Sequence, residues 1–508
     1  MFWVCYPLPR RRFDVSHVQH LICFTLQSPL AAHVLQDCIV SMIPAFRQTN
    51  PNQPKRLFVD ASHTIATGRN SGIERVVRNI VSECDRWCED EGLPKPQLVT
   101  HYSNRFAAID DKLSHRFKKL ASLEANVYNF LPKGYLGLAT WICKRANSER
   151  FKKWFAPQKG HLGLFKLPHS AFRYWIHRSV ALHAEVIKPN ENDLFVLPDA
   201  YWTRRGVWKA AAAARENGAT IATVIYDLIP LTHPQYVGVK RMEGFRKYLH
   251  HAIENSDLLL TISQTVEIEI KQYIQKNFSQ FVRVPSAIRH LTLGAELKLV
   301  EGEVRSSVSD LFKSEIASTD PKNPYLMVAT FDPRKNHHYL LDSFDLLWKT
   351  RSDLRLCLIG RVGSLCDDVV QRIRNHPAYG KQLFALHDVK DAELQHCYQS
   401  CRGVIFPSIV EGFGLPIVES LWFGKRTFAS DTPIHREVGR SDCVYFDLND
   451  PMSLVDAIEK WELVADQVSG QLPTRKPTTW EECSRALVSH CIMAHQSQRT
   501  RNQNKHAA

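Results

Sequence analysis

The sequence predicts an α/β protein with two doubly wound domains, each built on a parallel sheet. Its 508 residues are too many for a single domain of about 150 residues. Hydrophobic residues make up 44% of the chain and charged residues 23%, which excludes disorder, collagen and coiled coil as the main architecture. Short apolar runs alternate with amphipathic helical patterns from Tyr325 to Trp461, as in a parallel α/β sheet.

The second half shows this pattern most clearly, and we assign residues 320–475 to one domain. A helix is expected after its first strand, with Asn336 as the N-cap and with Leu340, Phe344 and Leu347 on one apolar face. The strands predicted in this half are Tyr325 to Thr330, Arg355 to Ile359, Gln382 to Leu386, Gly403 to Pro407, Arg426 to Ala429 and Cys443 to Phe446.

The first half repeats the pattern less regularly, and we assign residues 55–310 to a second domain. A linker is expected near Val304 to Lys322, where serines dilute the pattern. Residues 476–495 are expected to form a helix that returns to the first domain, and the polar, basic residues 496–508 a disordered tail. The strands predicted in this half are Arg56 to Asp60, Asp193 to Pro198, Thr220 to Ile225 and Asp257 to Ile262.

Residues 1–54 are assigned to an N-terminal extension, because they lack a clear period. Their apolar start precedes Arg10 to Arg12, whereas a secretory signal has its charges before its apolar run. No window in the chain has the run of about 20 apolar residues that a membrane span needs. The 13 cysteines form no C-x-x-C pair. Together these features predict a protein of the reducing cytoplasm.

The formal net charge of +13 is concentrated in one segment, residues 101–180, which reads as an insertion rich in aromatic residues. No zinc, helix-turn-helix or RNP-like motif accompanies the charge, so a nucleic-acid partner is not expected. Two interpretations remain open. The segment binds an anionic membrane surface through its cations and aromatic rings, or it is a solvated helical face with buried aromatics.

The first of two loops that carry chemistry contains Arg334 and Lys335. Both residues follow the strand that begins at Tyr325, and a helix starts directly after them. Ligands of open parallel sheets bind at this end of the strands. A planar guanidinium, a compact ammonium and free helix N–H groups together suit a phosphate or pyrophosphate. The alternative is that both cations are simply solvated.

The second loop runs from Ser408 to Ser420 and contains an E-x7-E pattern around G-F-G-L-P. Gly412 and Gly414 let the backbone approach a ligand closely, so that exposed N–H groups can bind an anion. Glu411 and Glu419 flank this loop and would accept hydrogen bonds from hydroxyls. A nucleoside diphosphate sugar meets both demands. Singly, each glutamate also has a structural explanation, as a loop residue or a helix-dipole partner.

These segments resemble the nucleotide-sugar-dependent glycosyltransferases of family 4, and among them the bacterial mannosyltransferases of O-antigen or exopolysaccharide assembly. The resemblance rests on Glu411 to Glu419 and Arg334 to Asn336, together with Gly72 to Arg75 and Tyr226 to Pro230 in the first half. It covers about Arg56 to Met493. It implies the GT-B fold, in which two Rossmann-like domains face a cleft, the C-terminal one holding the donor and the N-terminal one the acceptor.

The resemblance also implies a role for each matched residue. Arg334 and Lys335 would hold the donor diphosphate, Glu419 would accept from the ribose hydroxyls, and Glu411 would contact the sugar near its reacting carbon. The donor phosphate or hexose would further contact the amides of Gly412, Phe413, Gly414 and Leu415.

Two residues of the first domain complete the predicted site. Gly72 would lie across the cleft, near the phosphate and the acceptor. Where some family members have a histidine, this chain has Tyr226-Asp227. We therefore expect Asp227 to orient the acceptor or to handle its proton.

The expected activity is the retaining transfer of a hexose from a nucleotide sugar, with GDP-mannose the first choice, to a glycan or lipid-linked glycan. No D-x-D triplet stands in a strand-end loop, so neither a metal nor another cofactor is expected. If the basic segment binds membrane, the protein is peripheral on the cytoplasmic face of the inner membrane. A Rossmann oxidoreductase would need a G-x-G-x-x-G turn, which the chain lacks. A non-enzymatic basic binding protein would leave both loops unexplained.

Overall fold

The computed structural model describes residues 53–67, 72–102, 104–109, 185–202, 206–278, 283–297, 323–363, 365–387, 389–464 and 474–507. The chain divides into two units, Met1–Gln53 and Pro54–Ala508, and the second unit contains both sheets. The N-terminal extension up to residue 52, residues 110–180 of the basic segment and the linker from Val304 to Lys322 lie outside the described residues.

The N-lobe, defined here as residues 54–297 together with 474–507, contains a seven-stranded sheet in the order β3-β2-β1-β4-β5-β6-β7. Neighbouring strands are parallel except for the antiparallel pair β2 and β3. The strands are β1 Arg56–Asp60, β2 Pro96–Tyr102, β3 Arg105–Ala108, β4 Asp193–Leu197, β5 Thr220–Ile225, β6 Leu258–Thr261 and β7 Ala287–His290. The described helices between them are α1 Ser62–Thr67, α2 Gly72–Asp90, α3 Gly206–Glu216, α4 Ile229–Thr232, α5 Val239–Asn255 and α6 Gln264–Asn277.

The C-lobe, defined here as residues 323–464, contains a six-stranded parallel sheet in the order β10-β9-β8-β11-β12-β13. The strands are β8 Tyr325–Val328, β9 Leu356–Ile359, β10 Leu383–Leu386, β11 Gly403–Phe406, β12 Thr427–Ser430 and β13 Cys443–Phe446. The helices are α7 His337–Thr350, α8 Asp367–Arg374, α9 Asp391–Ser400, α10 Leu415–Trp422, α11 Pro433–Gly439 and α12 Pro451–Glu462.

Both sheets have the strand order 3-2-1-4-5-6 of the Rossmann fold, counted from β1 in the N-lobe and from β8 in the C-lobe. Their central strands are covered by helices on both faces, so every residue of β5, β9 and β11 is buried. The predicted class, an α/β protein with two Rossmann-like domains, is therefore confirmed.

The C-terminal helix α13, Trp480–Ala507, corrects the prediction of a disordered tail from residue 496. The helix packs against α2 and the N-lobe sheet, where Trp480 is buried. Beyond residue 495 the side chains of Gln498 and Arg499 still contact the N-lobe. Gln498 Oε1 accepts from Thr220 Oγ1 at 2.6 Å, and Arg499 donates to the carbonyl of Glu191 at 3.0 Å. The polar composition reflects an exposed helix face, which residue type alone does not distinguish from disorder.

Three strands of the N-lobe are absent from the sequence prediction. These are β2, β3 and β7. Through β2 and β3, residues 101–102 and 105–108 of the supposed insertion belong to the sheet. Asn336 is the N-cap residue of α7, as predicted. It adopts a left-handed conformation with φ 59°, however, and its side chain makes no capping hydrogen bond. No helix among the described segments is long and apolar enough to cross a membrane.

The two lobes meet at the carboxyl ends of their strands. Ser263 follows β6, and its hydroxyl donates to the carbonyl of Gly412, which follows β11, at 2.9 Å. Glu437 of the C-lobe accepts hydrogen bonds from the amides of Gln264 and Thr265 at the start of α6. Because ligands of parallel sheets bind at these ends, the contact zone is the place to look for a site.

Candidate active site

Arg334 and Lys335 lie at the carboxyl end of β8, in a one-turn 3-10 helix. Asp332 caps this turn, since its Oδ1 accepts from the amide of Arg334 at 3.1 Å. The capped turn and the left-handed Asn336 that follows it hold the two basic side chains ahead of α7. The loop therefore presents both cations at a fixed position on the sheet edge, as the sequence predicts.

Both cations contact the carboxylate of Glu411. Arg334 Nη1 donates to Oε2 at 3.0 Å, and Lys335 Nζ donates to Oε1. Lys335 is only 8% exposed, and its ammonium lies 5.0 Å from the centre of the Phe406 ring. Burial acts to raise the pKa of Glu411, but the charges of Lys335 and Arg334 outweigh it and hold that pKa at about 2. Glu411 is thus ionised. Burial lowers the pKa of Lys335, and the charge of Glu411 opposes that fall.

Asp227 lies beside this cluster from the N-lobe. It follows β5, and its Oδ1 accepts from the amide of Ile229 at 3.0 Å. Burial raises the pKa of Asp227, and the nearby charge of Arg334 opposes that rise. Its electrostatic interaction with both Arg334 and Glu411 places Asp227 within the candidate site, where a carboxylate of raised pKa suits proton transfer.

The loop from Gly412 to Leu415 forms part of the contact between the two lobes. A Cβ at Gly412 would lie 2.1 Å from the carbonyl oxygen of Tyr226, so glycine is required there by the approach of the N-lobe. The Phe413 side chain is buried in the same hydrophobic cluster as Tyr226, with Leu415 packed against it. Gly414, at φ 108°, forms the N-cap of α10.

Glu419 lies within α10 and is 3% exposed. One carboxylate oxygen, Oε1, accepts from the guanidinium of Arg75 in α2 of the N-lobe. The other, Oε2, accepts from the Tyr398 hydroxyl at 2.7 Å. Its recorded contacts therefore differ from those of Glu411, Arg334 and Lys335, which form a separate group.

Gly72 is the first residue of α2 and is exposed. A Cβ at this position would meet no atom within 4 Å, so the space beside it is open. Arg75, one turn further along α2, reaches the C-lobe through Glu419. The start of α2 therefore faces the C-lobe.

Three residues of this region were not singled out from the sequence. Arg75 belongs to a phrase that resembles the family, but nothing in the phrase predicts its partner. Tyr398 lies in α9 and belongs to no motif that points to a site. His435 is buried under the glycine loop, with its ring 5.1 Å from that of Phe406 and Nδ1 3.0 Å from the Ser430 carbonyl. Burial lowers the pKa of His435, so its imidazole is neutral.

Comparison with known proteins finds matches to part of this chain. Residues 309–467 match the family described as glycosyl transferases group 1. A serotype-specific mannosyltransferase of Escherichia coli is 30% identical over 257 residues, which are 50% of this chain and 31% of that protein. The O-antigen chain mannosyltransferase B of Escherichia coli is 26% identical over 278 residues, 53% of this chain and 68% of that protein.

A third relative, the O-antigen chain mannosyltransferase RfbU of Salmonella typhimurium, is 26% identical over 247 residues, 48% of this chain and 62% of that protein. The matched region is thus about half of this chain and less than a third of the first relative named. None of these similarities supports the oxidoreductase or the non-enzymatic alternative. The family match includes the whole C-lobe, with Arg334, Lys335 and the E-x7-E loop. The C-lobe of this chain is therefore similar to the glycosyl transferases of group 1.

Proposed function

We propose that this chain is a retaining glycosyltransferase that moves a hexose from a nucleoside diphosphate sugar to a glycan or lipid-linked glycan. The observation that carries the proposal is the cluster of Arg334, Lys335 and Glu411 at the carboxyl end of β8 and β11. Two cations and an ionised carboxylate there can bind a diphosphate and the hydroxyls of its sugar at the same time.

The chemistry demands a positive field on the leaving group. Breaking the bond between sugar and phosphate builds negative charge on the departing diphosphate, and preorganised donors stabilise that charge. In this proposal the diphosphate replaces Glu411 as the partner of Arg334 and Lys335. Glu411, so released, accepts hydrogen bonds from the sugar near its reacting carbon. No divalent metal is required, because the two cations and the loop amides supply the field.

The proposed roles of Glu419, Gly72 and Asp227 follow from where these residues lie relative to the cluster. Glu419 would accept from the ribose hydroxyls, and the start of α2 at Gly72 would lie near the phosphates. Asp227, whose pKa is raised by burial, would orient the acceptor hydroxyl or take its proton. The Phe413 side chain is committed to the hydrophobic cluster, so only backbone groups of that residue are available to a ligand.

Mannose is the first choice of sugar, and GDP-mannose of donor, since the three relatives named above are all mannosyltransferases. The acceptor proposed is the growing glycan, free or lipid-linked, because two of those relatives are O-antigen chain enzymes. These assignments concern a chain that matches only part of each relative, and the tests below are therefore designed to include other donors.

The basic segment at residues 101–180 is proposed to bring the enzyme to an anionic membrane surface, where lipid-linked acceptors would be found. The protein would then act as a peripheral protein on the cytoplasmic face of the inner membrane. Lys and Arg near such a surface contribute about 1 kcal/mol each. Flotation with vesicles containing anionic lipid tests this, and absence of binding at low salt would reject it.

The activity is tested with purified full-length protein. Thermal shifts with GDP-mannose, UDP-glucose and NAD separate the donor classes, because a ligand at about 100 times its dissociation constant stabilises the fold by about 2.7 kcal/mol. Transfer is then measured with the stabilising donor and a mannan-type oligosaccharide. Lys335→Ala should reduce the shift and lower the transfer rate on the order of a hundredfold. Lys349→Ala, an exposed lysine in the last turn of α7, is the matched control. Stabilisation by NAD alone, or wild-type transfer by Lys335→Ala, would overturn the proposal.

A further inference from the structure

The carboxylate of Glu419 is hydrogen bonded through both oxygens, by groups from different lobes. Tyr398 of the C-lobe contacts Oε2 and Arg75 of the N-lobe contacts Oε1. A carboxylate as buried as this one needs such partners, since an unpaired buried charge is costly. The two partners differ, however, in how firmly the fold holds them.

Tyr398 is held rigidly. Its side chain is 0% exposed, and its ring stacks on that of Phe423 with centroids 5.6 Å apart and planes at 10°. Burial raises the pKa of the hydroxyl far above its usual range, so Tyr398 always carries a proton to donate. The hydroxyl therefore fixes the orientation of the carboxylate whether or not a ligand is present.

Arg75 is held less firmly. It lies in the first turn of α2, where the helix dipole disfavours a cation. Its side chain is 19% exposed, whereas that of Glu419 is 3% exposed. Among the described residues, Glu419 is the only ion-pair partner of Arg75. The guanidinium can therefore exchange Glu419 for water if another group occupies the carboxylate.

We propose that Tyr398 is a positioning residue for the ribose-binding carboxylate, and that Arg75 occupies Oε1 of that carboxylate until the donor ribose replaces it. The inference rests on the proposed function, which makes Glu419 the acceptor for ribose hydroxyls. Donor binding then breaks an ion pair between the lobes, and Arg75 and the ribose compete for one oxygen atom.

Substitutions of Arg75 and of Tyr398 should change the nucleotide affinity in opposite directions. A purely structural role of the two residues would not produce opposite effects. Arg75→Gln removes the competitor and should lower the dissociation constant of the nucleotide several-fold. Arg75→Lys keeps the charge and should restore the wild-type value. Tyr398→Phe leaves the carboxylate unoriented and should weaken binding roughly tenfold, as expected for a hydrogen bond to a charged group.

The measurement is calorimetric titration of full-length protein with GDP, UDP and ADP, and then with the 2′-deoxy form of whichever binds best. The changes in dissociation constant caused by Arg75→Gln and by Tyr398→Phe should both be smaller for the 2′-deoxy nucleotide, because it lacks one of the two ribose hydroxyls. Arg86→Gln on the same helix and Tyr273→Phe in the N-lobe are the matched controls and should bind as wild type does. Melting temperatures identify any variant that is misfolded. If Arg75→Gln is misfolded, Arg75→Lys still tests whether a positive charge at residue 75 is enough for the wild-type affinity.

Weaker binding by Arg75→Gln would mean that Arg75 contacts the nucleotide and would overturn the competition. Equal losses for both nucleotides in Tyr398→Phe, or no loss, would overturn the positioning role. Absence of binding of all three nucleotides to the wild-type protein would instead refute the proposed function. Tight binding that does not depend on the 2′-hydroxyl would refute this inference and the ribose-binding role of Glu419, but not the proposed transfer of a sugar.

Discussion

Gly412 of the C-lobe lies directly against the carbonyl oxygen of Tyr226 in the N-lobe, so closely that a Cβ at residue 412 would be 2.1 Å from that oxygen. Real Cβ atoms do not approach backbone oxygens so closely, and neither atom belongs to a flexible side chain. The glycine loop of the candidate site is thus also a close contact between the lobes. The geometry of the site therefore depends on how the lobes meet.

We expect Gly412→Ala to separate the lobes locally and to remove most transfer activity. The added methyl group must displace either the Tyr226 backbone or the loop that carries Glu411. Transfer assays and thermal unfolding of the purified variant provide the measurement. Gly244→Ala is the control, because a Cβ at that helical position meets no atom within 4 Å. Normal activity in Gly412→Ala would show that the contact is not needed for catalysis.

Lys335→Ala and Glu411→Ala should both remove transfer but differ in stability. Loss of one preorganised donor costs on the order of a hundredfold in rate. In Lys335→Ala, Arg334 still pairs with Glu411, so folding stability should change little. Glu411→Ala leaves the buried Lys335 without its carboxylate and should destabilise the protein by about 3 kcal/mol. Urea unfolding distinguishes the two variants, and equal stabilities would contradict the assigned ion pairs.

Transfer should be insensitive to removal of divalent metal. Arg334 and Lys335 are proposed to neutralise the leaving diphosphate, a task that other transferases give to a metal ion. The rate is measured before and after dialysis against EDTA, and again after Mg²⁺ or Mn²⁺ is restored. A loss of activity that the metal reverses would mean that the two cations do not suffice.

Glu437→Ala should loosen the lobe contact on the side of α6. The carboxylate accepts from the amides of Gln264 and Thr265 at 2.7 and 2.8 Å, and from the Thr265 hydroxyl at 2.6 Å. It thus adds an N-terminal cap to a helix of the opposite lobe, and caps contribute about 1 kcal/mol. We expect a loss of that size in urea unfolding and a several-fold lower transfer rate. Glu216→Ala, an exposed glutamate at the end of α3, should change neither quantity.

Stability should fall as the pH drops below 6.5, in part because of His337. Its ring is buried and stacks on Phe331 with centroids 4.5 Å apart, and burial lowers its pKa to about 3. The unfolded chain then binds a proton that the folded protein does not. The contribution of His337 is thus complete above pH 6.5 and is lost as the pH falls towards 3.

At pH 5 the loss attributable to His337 should be about 1.6 kcal/mol relative to pH 6.5. Urea unfolding at the two pH values, in the wild type and in His337→Phe, measures it. The phenylalanine keeps the ring but cannot be protonated, so its pH dependence should be smaller by that amount. The exposed His251→Gln variant should behave as the wild type does, and identical slopes in all three proteins would contradict the prediction.

Local pattern accounts for much of the fold. The bounds of β1, β5 and β13 agree residue for residue with the predicted strands. Strands buried on both faces are continuous apolar runs, which the sequence displays directly. The strands that the sequence did not predict lack such continuous apolar runs. β7 is partly exposed and β2 contains polar residues, so their strand character comes from pairing with β6 and β1.

In the candidate site, too, some features were predictable from the local sequence and others were not. Arg334, Lys335, Glu411 and Glu419 were chosen from two loops, and the first three are in contact. The assigned role of Glu419 stays a prediction, because its recorded partners are Arg75 and Tyr398. Arg75 is 344 residues away in the chain, and no local period encodes a pair at that separation.

The amino-acid order by itself therefore determined where the central strands lie and which strand-end loops carry charge, because burial and turn chemistry act over a few neighbouring residues. Only the tertiary structure decided that Arg75 meets Glu419, that Tyr226 requires a glycine at position 412, and that the final polar residues are helical. The first two depend on how the two lobes pack together, and the third depends on how α13 packs within the N-lobe. Packing between segments that are distant in the chain leaves no periodic trace in either segment.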